Sequence, residues 1–209
     1  MYQKSNPIGK LMSAFFFAFL LAVIGVYAGQ YIPPQFIWPL AILELVLVII
    51  VAFTRNRKGL GYFVMYLFMF VSGLTLYAML AHYVSVLGAD EVLKAFIIAV
   101  VAFAALAIYG SMTKFNLGFL GNFLFFGLLV LVLVLIAGIF IPFSNIVNLI
   151  IAIAGIGIFA GYTLYDFNQI ARNGFEEEDI PTIVVNIYLD FINLFTYILR
   201  FMKYFNSDN

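Results

Sequence analysis

The chain has 209 residues, of which 66% are hydrophobic and only 10% are charged, and its formal net charge is zero. Soluble domains carry about 25% charged residues, and a chain of this length has too small an interior to hide so much apolar surface from water. The composition therefore indicates a multi-pass membrane protein. It excludes a strongly basic nucleic-acid surface, and the lack of cysteine excludes disulfides and thiolate metal sites.

Seven continuous apolar segments follow one another along the chain, separated by short polar breaks. Each is close to the length of about 20 residues that an α-helix needs to cross a bilayer. The first segment shows no small-residue cleavage site followed by a soluble domain, so we interpret it as a retained helix. The sequence thus predicts one all-α domain over residues 1–209, with transmembrane helices at 11–32, 36–54, 60–84, 91–110, 118–141, 146–170 and 182–203.

More specific predictions concern two helix boundaries and two glycine pairs. Asp90 is of a residue type that caps helix N-termini, and Pro181 suits the first turn of the last helix. The Gly-x-x-x-Gly pairs at 25–29 and 157–161 have the spacing that allows close contact between membrane helices. We expect packing, rather than function, at these glycines.

Lysine and arginine residues indicate the orientation, because they concentrate on the cytoplasmic side of a membrane. With seven helices, seven such residues fall on the side of the N-terminus: Lys4, Lys10, Arg55, Arg57, Lys58, Lys114 and Arg172. Only Lys94, Arg200 and Lys203 fall on the opposite side. We therefore expect a cytoplasmic N-terminus, an external C-terminus and a location in the cell membrane.

The last segment carries a stripe of polar residues on an otherwise apolar helix. Asn186, Asp190, Asn193, Tyr197 and Arg200 are separated by steps of 4, 3, 4 and 3, which places them on one helix face. An ionised side chain near the bilayer centre costs about 2.5–3.5 kcal/mol on insertion scales. The stripe is thus expected to face other protein or a water-filled path, which makes the last helix central to the bundle.

Asp166 in the sixth segment and Asp190 in the seventh are the strongest candidates for a functional site. We expect them about 6 and 13 Å from the cytoplasmic ends of two antiparallel helices, and a longer sixth helix would bring them together. In a site of low dielectric constant, two such carboxyl groups would share one proton. The pair would be either proton-bridged and compact or doubly charged and attractive to cations, with Arg55 placed to bind the charged form.

Glu44 and Arg200 are both expected in the outer half of the membrane, where they could neutralise each other. We favour a structural ion pair over a pore function for these two, because hydrogen bonding between helices explains them. For Asp166 and Asp190 we favour a function, because two acids at one depth without evident partners are difficult to explain structurally.

Three stretches of the sequence match motifs of a known family. They are Ile187-Tyr188-Leu189-Asp190-Phe191-Ile192-Asn193-Leu194-Phe195, Leu164-Tyr165-Asp166 and Phe70-Val71-Ser72-Gly73-Leu74-Thr75. With these motifs the chain resembles the transmembrane Bax inhibitor motif family, also called the Bax inhibitor family. The resemblance covers essentially the whole chain. The long proline-rich N-terminal extension of some eukaryotic members is missing, so the chain resembles a minimal member of the prokaryotic type.

This resemblance implies a calcium leak channel that is sensitive to pH. It also implies that Asp166 and Asp190 match the family's paired aspartates, which act as the pH sensor at the pore. Arg55 stands at a matching basic position after the second helix. Regulation of cell death, known for eukaryotic members, is not carried over to this chain.

The leading hypothesis from the sequence is a passive, proton-gated calcium leak, with no enzymatic activity and no cofactor. Asn193 and Tyr197 add oxygen atoms, which calcium prefers, and the two aspartates could bind the ion transiently during its passage. A proton-coupled cation or solute transporter is the alternative, although no internal repeat is evident. An intramembrane aspartyl protease is less favoured, because Ile187-Tyr188-Leu189 precedes Asp190 where that class has a Gly-x-Gly pattern.

Overall fold

The computed structural model describes residues 7–54 and 58–206. Seven α-helices form in these ranges, and each has the length and apolar composition needed to cross a membrane. In chain order they are α1 (Pro7–Gly29), α2 (Ile37–Phe53), α3 (Lys58–Leu87), α4 (Ala89–Met112), α5 (Leu120–Phe140), α6 (Asn145–Asn173) and α7 (Ile180–Asn206). Short 3₁₀ turns precede three of the helices, at Pro34–Phe36, Leu117–Phe119 and Glu177–Asp179. The predicted all-α, seven-helix membrane fold is confirmed.

Helix α7 is the most buried of the seven. In the most apolar 18-residue stretch of each helix, 56% of residues are buried in α7, 44% in α3 and at most 33% in the others. A membrane helix with charged and amide side chains needs protein around it, because lipid offers these groups no hydrogen bonds. The prediction that the last helix is central to the bundle is therefore confirmed, while the cytoplasmic side of the N-terminus stays a prediction.

A single residue, Gly88, joins α3 to α4 and corrects one predicted boundary. Its φ of 89° lies in the region that favours glycine, and its backbone N–H donates to the carbonyl oxygen of Val84. Gly88 is the N-cap residue of α4, so the prediction that Asp90 caps this helix was wrong. Asp90 lies in the first turn instead, where the helix dipole stabilises a carboxylate. Pro181 lies in the first turn of α7, as predicted.

One compact unit consists of the chain up to His82 together with Phe175–Asn186. In this unit α1 presents a buried face of small residues: Ala14, Ala18, Ala22, Gly25 and Gly29. A Cβ atom on Gly25 would collide with the carbonyl oxygen of Phe70, and one on Gly73 would collide with that of Ala22. The backbones of α1 and α3 are therefore in direct contact, which only glycine permits at these two positions.

The second unit consists of Tyr83–Gly174 and Ile187–Asn209. Helix α6 packs against α4 and α5 in this unit. At Gly110 of α4, an added Cβ atom would lie 2.7 Å from the carbonyl oxygen of Leu164, so these two helices also approach closely. This contact holds α4 against the part of α6 that precedes Asp166.

Only one glycine of the 157–161 pair on α6 packs against another helix as predicted. Gly161 packs against Leu124 of α5, as predicted. Gly157 was wrongly predicted to pack, because it is exposed and an added Cβ atom would have no neighbour within 4 Å. The buried face of α6 passes through Gly155 and Phe159 instead, and residue 157 lies on the other side of the helix.

Gly25→Ala is expected to destabilise the protein, whereas Gly9→Ala on the same helix is not. The methyl group at residue 25 meets the backbone of α3, and overpacking of this kind costs about 1–3 kcal/mol. Gly9 is exposed with open space around it, so alanine there is neutral or slightly stabilising through its better helix propensity. Thermal unfolding of both variants in one detergent measures the difference. Equal melting temperatures would contradict the direct contact between α1 and α3.

Candidate functional site

The five polar residues predicted on one face of α7 differ in their exposure. Asp190 and Tyr197 are buried, with 5% and 6% of their surface exposed. Asn193 and Arg200 are half-buried, whereas Asn186 is exposed. Because Asn186 precedes Asp190 by about one helical turn, the stripe leads from an accessible position to a buried carboxyl group within that turn.

Asp166 and Asp190 are close enough for the charge of one to act on the other. Helix α6 extends to Asn173, so Asp166 stands seven residues, or about 10 Å, from the helix end rather than about 6 Å. Asp190 stands ten residues after Ile180, or about 15 Å into α7. The longer sixth helix thus brings the two acids toward one depth, while their role as a pH sensor stays a prediction.

One oxygen of the Asp190 carboxyl group has no described hydrogen-bond partner. Its Oδ2 atom is buried and has no hydrogen-bond partner within residues 7–54 and 58–206. Tyr162, one turn before Asp166 on α6, interacts electrostatically with both acids. Because a buried carboxylate without compensation is unfavourable, this site is suited to hold a proton or to attract a cation.

Asn168 fixes the part of α6 that carries Asp166, a role that the sequence did not indicate. Its side chain is fully buried, and its Nδ2 donates to the carbonyl oxygens of Gly110 and Phe115, each at 3.1 Å. Its Oδ1 accepts a 2.9 Å hydrogen bond from the backbone N–H of Leu117. One amide thus ties α6 to the end of α4 and to the following loop. Only the residue type could have indicated this role in the sequence, because an amide inside a membrane bundle requires polar partners.

Glu44 and Arg200 each bind a neutral partner within their own unit. The Thr75 hydroxyl donates a 2.7 Å hydrogen bond to the Glu44 carboxylate. Arg200 Nη2 donates a 2.7 Å hydrogen bond to Oδ1 of Asn148. These contacts support a structural interpretation for each residue, and their pairing with one another stays a prediction.

Arg55 lies outside the described residues, so its predicted role as a charge partner of the acid pair stays a prediction. Where the chain is described, no group of three or more His, Asp and Glu side chains is placed to hold a metal ion. The acid pair provides two carboxyl groups, whereas coordination of calcium usually takes six to eight oxygen atoms.

Known proteins resemble this chain over most or all of its length. A family model described as "Inhibitor of apoptosis-promoting Bax1" matches residues 7–207. An uncharacterized protein of Campylobacter jejuni is 31% identical over 98% of this chain and 91% of its own length. Bax inhibitor 1 of Schizosaccharomyces pombe is 28% identical over 100% of this chain and 85% of its own length. The Golgi anti-apoptotic protein of vaccinia virus (strain Lister) is 29% identical over 73% of this chain and 62% of its own length.

Asn168→Ala is expected to lower the free energy of unfolding strongly. It leaves three backbone groups without their partner, and each unsatisfied buried group costs about 1–3 kcal/mol. Asn173→Ala is the matched control, because Asn173 is exposed and its side-chain N–H donates to Gln169 Oε1 within the same helix. Thermal unfolding in detergent compares them. A melting temperature of Asn168→Ala equal to that of Asn173→Ala would contradict the anchoring role of Asn168.

Proposed function

This chain belongs to the Bax inhibitor family, and on that premise we propose that it is a calcium leak channel whose activity depends on pH. It works in the cell membrane with calcium ions and protons as its ligands, without a cofactor and without an enzymatic step. The family resemblance supports the calcium leak, and the acid pair supports the dependence on pH.

The main support for pH dependence is the electrostatic interaction between Asp166 and Asp190, in two helices that have the composition of membrane spans. Ionisable residues at such positions are rare and are commonly functional. Asp190 is the more suitable proton-binding group, because its Oδ2 is buried without a hydrogen-bond partner among the described residues. A structural role would normally provide that oxygen with a donor.

The pair has two states that favour different helix arrangements. With a shared proton, a hydrogen bond holds α6 and α7 together at the level of the acids. Without that proton the two charges repel. For scale, unit charges at a separation of about 4 Å repel by about 4 kcal/mol at an effective dielectric constant of about 20. A difference of this size changes the ratio of two conformations by about three powers of ten. We infer that loss of one proton favours a wider separation of the two helices.

The doubly charged state also attracts calcium, so repulsion and cation binding both favour conduction at higher pH. Asn186 is exposed one turn before Asp190 and provides a polar contact for an arriving ion. Arg55, predicted at the same membrane face, competes with calcium for the charged pair. This competition keeps the conductance small, as a leak requires.

Calcium flux into proteoliposomes across a pH series tests the proposal. For the wild type we expect flux that rises with pH through the range in which the pair loses its proton. Asp166→Asn combined with Asp190→Asn removes both titrating groups, so flux from this variant should no longer depend on pH. Asp90→Asn is the matched control, because Asp90 is an exposed acid in the first turn of α4, and it should retain the wild-type profile.

Three results would each overturn a different part of this proposal. The absence of flux at every pH from folded, reconstituted wild type would exclude the calcium leak. Flux that falls as pH rises would exclude opening by carboxylate repulsion. An unchanged pH profile in the double variant would exclude the aspartates as the sensor.

A further inference from the structure

Phe103 in the middle of α4 contacts both acid-bearing helices. Its ring packs edge-on against Phe167 of α6, with ring centres 5.8 Å apart and an interplanar angle of 80°. It packs in the same manner against Phe191 of α7, at 5.5 Å and 81°. Edge-to-face pairs at these distances are favourable beyond the burial of their surface, so one ring binds two neighbouring helices at once.

The two partners of Phe103 directly follow the two acids in the sequence. Phe167 follows Asp166, and Phe191 follows Asp190. Neighbouring residues on an α-helix are about 100° apart and move together as parts of one rigid element. A rotation or shift that separates either ring from Phe103 must therefore also displace the adjacent carboxyl group.

Phe103 carries no charge, so it acts on the acids through packing alone. Among the described residues, Tyr162 of α6 interacts electrostatically with both acids and with Tyr165 of the same helix. Tyr162 affects the charges of the acids, whereas Phe103 affects their separation. The two influences can therefore be distinguished by experiment.

We propose that Phe103 is a positioning residue, whose ring is a spacer that sets the separation of α6 and α7 at Asp166 and Asp190. Without the ring, the two helices lose their common contact and the acids are no longer held at one distance. The consequence for ion flux rests on the proposed calcium leak, whereas the geometric consequence does not.

Phe96 provides a matched control on the same helix. It lies two turns before Phe103 and also makes two edge-on ring contacts, at 5.9 Å with Phe191 and 5.6 Å with Phe195. Both of these partners are on α7. Replacement of Phe96 thus removes as many described ring pairs as replacement of Phe103, but it leaves the contact between α4 and Phe167 of α6 in place.

Cysteine cross-linking measures the geometry directly, because the natural chain contains no cysteine. Asp166→Cys with Asp190→Cys places two thiols at the acid positions and removes the titrating carboxyl groups. The rate of cross-linking by a short bifunctional thiol reagent then reports their proximity. Adding Phe103→Leu should slow this reaction about tenfold, because the ring that contacts both α6 and α7 is lost. Adding Phe96→Leu should leave the rate within about twofold, and Phe103→Tyr, which keeps the ring, should retain it.

Equal cross-linking rates with Phe103→Leu and Phe96→Leu would overturn the spacer role, as would failure of Phe103→Tyr to retain the rate. If Phe103→Leu does not yield folded protein in detergent, Phe103→Met replaces it, because methionine keeps most of the volume without a ring. The same comparison then applies to that variant.

Calcium flux with the acids present separates this inference from the proposed function. Phe103→Leu should flatten the pH profile, while Phe96→Leu should keep the wild-type profile. If the wild type conducts no calcium, the proposed leak fails, and the cross-linking rates still decide the spacer. If the wild type shows pH-dependent flux and both leucine variants match it, the leak stands and the functional role of Phe103 fails.

Discussion

The energetic cost of a carboxylate inside a membrane bundle is the constraint on which the rest of this structure depends. Asp190 is buried on the most buried helix, and Asp166 is near enough for the two charges to interact. A second acid adds repulsion when both groups are charged, and on the proposed function this repulsion separates the two helices. Such a pair is useful only where the surrounding helices determine the distance between its members.

Helix α6 holds Asp166 in place, because asparagines anchor this helix near both of its ends. Near its start, Asn148 donates to the carbonyl oxygens of Phe143 and Ser144 and accepts from Arg200 of α7. Twenty residues later, or about 30 Å along the helix, Asn168 binds the loop between α4 and α5. Both anchors use neutral amides, so they stay intact across the pH range in which the acids change charge.

The sequence allowed prediction of those features that the bilayer itself imposes. A lipid environment requires long apolar runs and confines charge to protein-facing stripes, so seven helices, a central α7 and the proximity of Asp166 to Asp190 followed from spacing and depth. Features that depend on distant partners did not follow. Asn168 binds backbone groups more than 50 residues away. The Gly-x-x-x-Gly spacing at 157–161 does not indicate which of the two glycines faces a neighbour, and only Gly161 does. Asp90 is a good capping residue, but the positive φ of Gly88 is not visible in the sequence.

The one-residue connection at Gly88 has a consequence for biogenesis. Leu87 ends α3 and Ala89 begins α4, so only one residue links two helices that cross the membrane in opposite directions. With so short a connection, we expect the two segments to enter the membrane together as a helical hairpin. The buried Met65, Phe68 and Met69 of α3 therefore enter the membrane together with α4, the helix that carries Phe103.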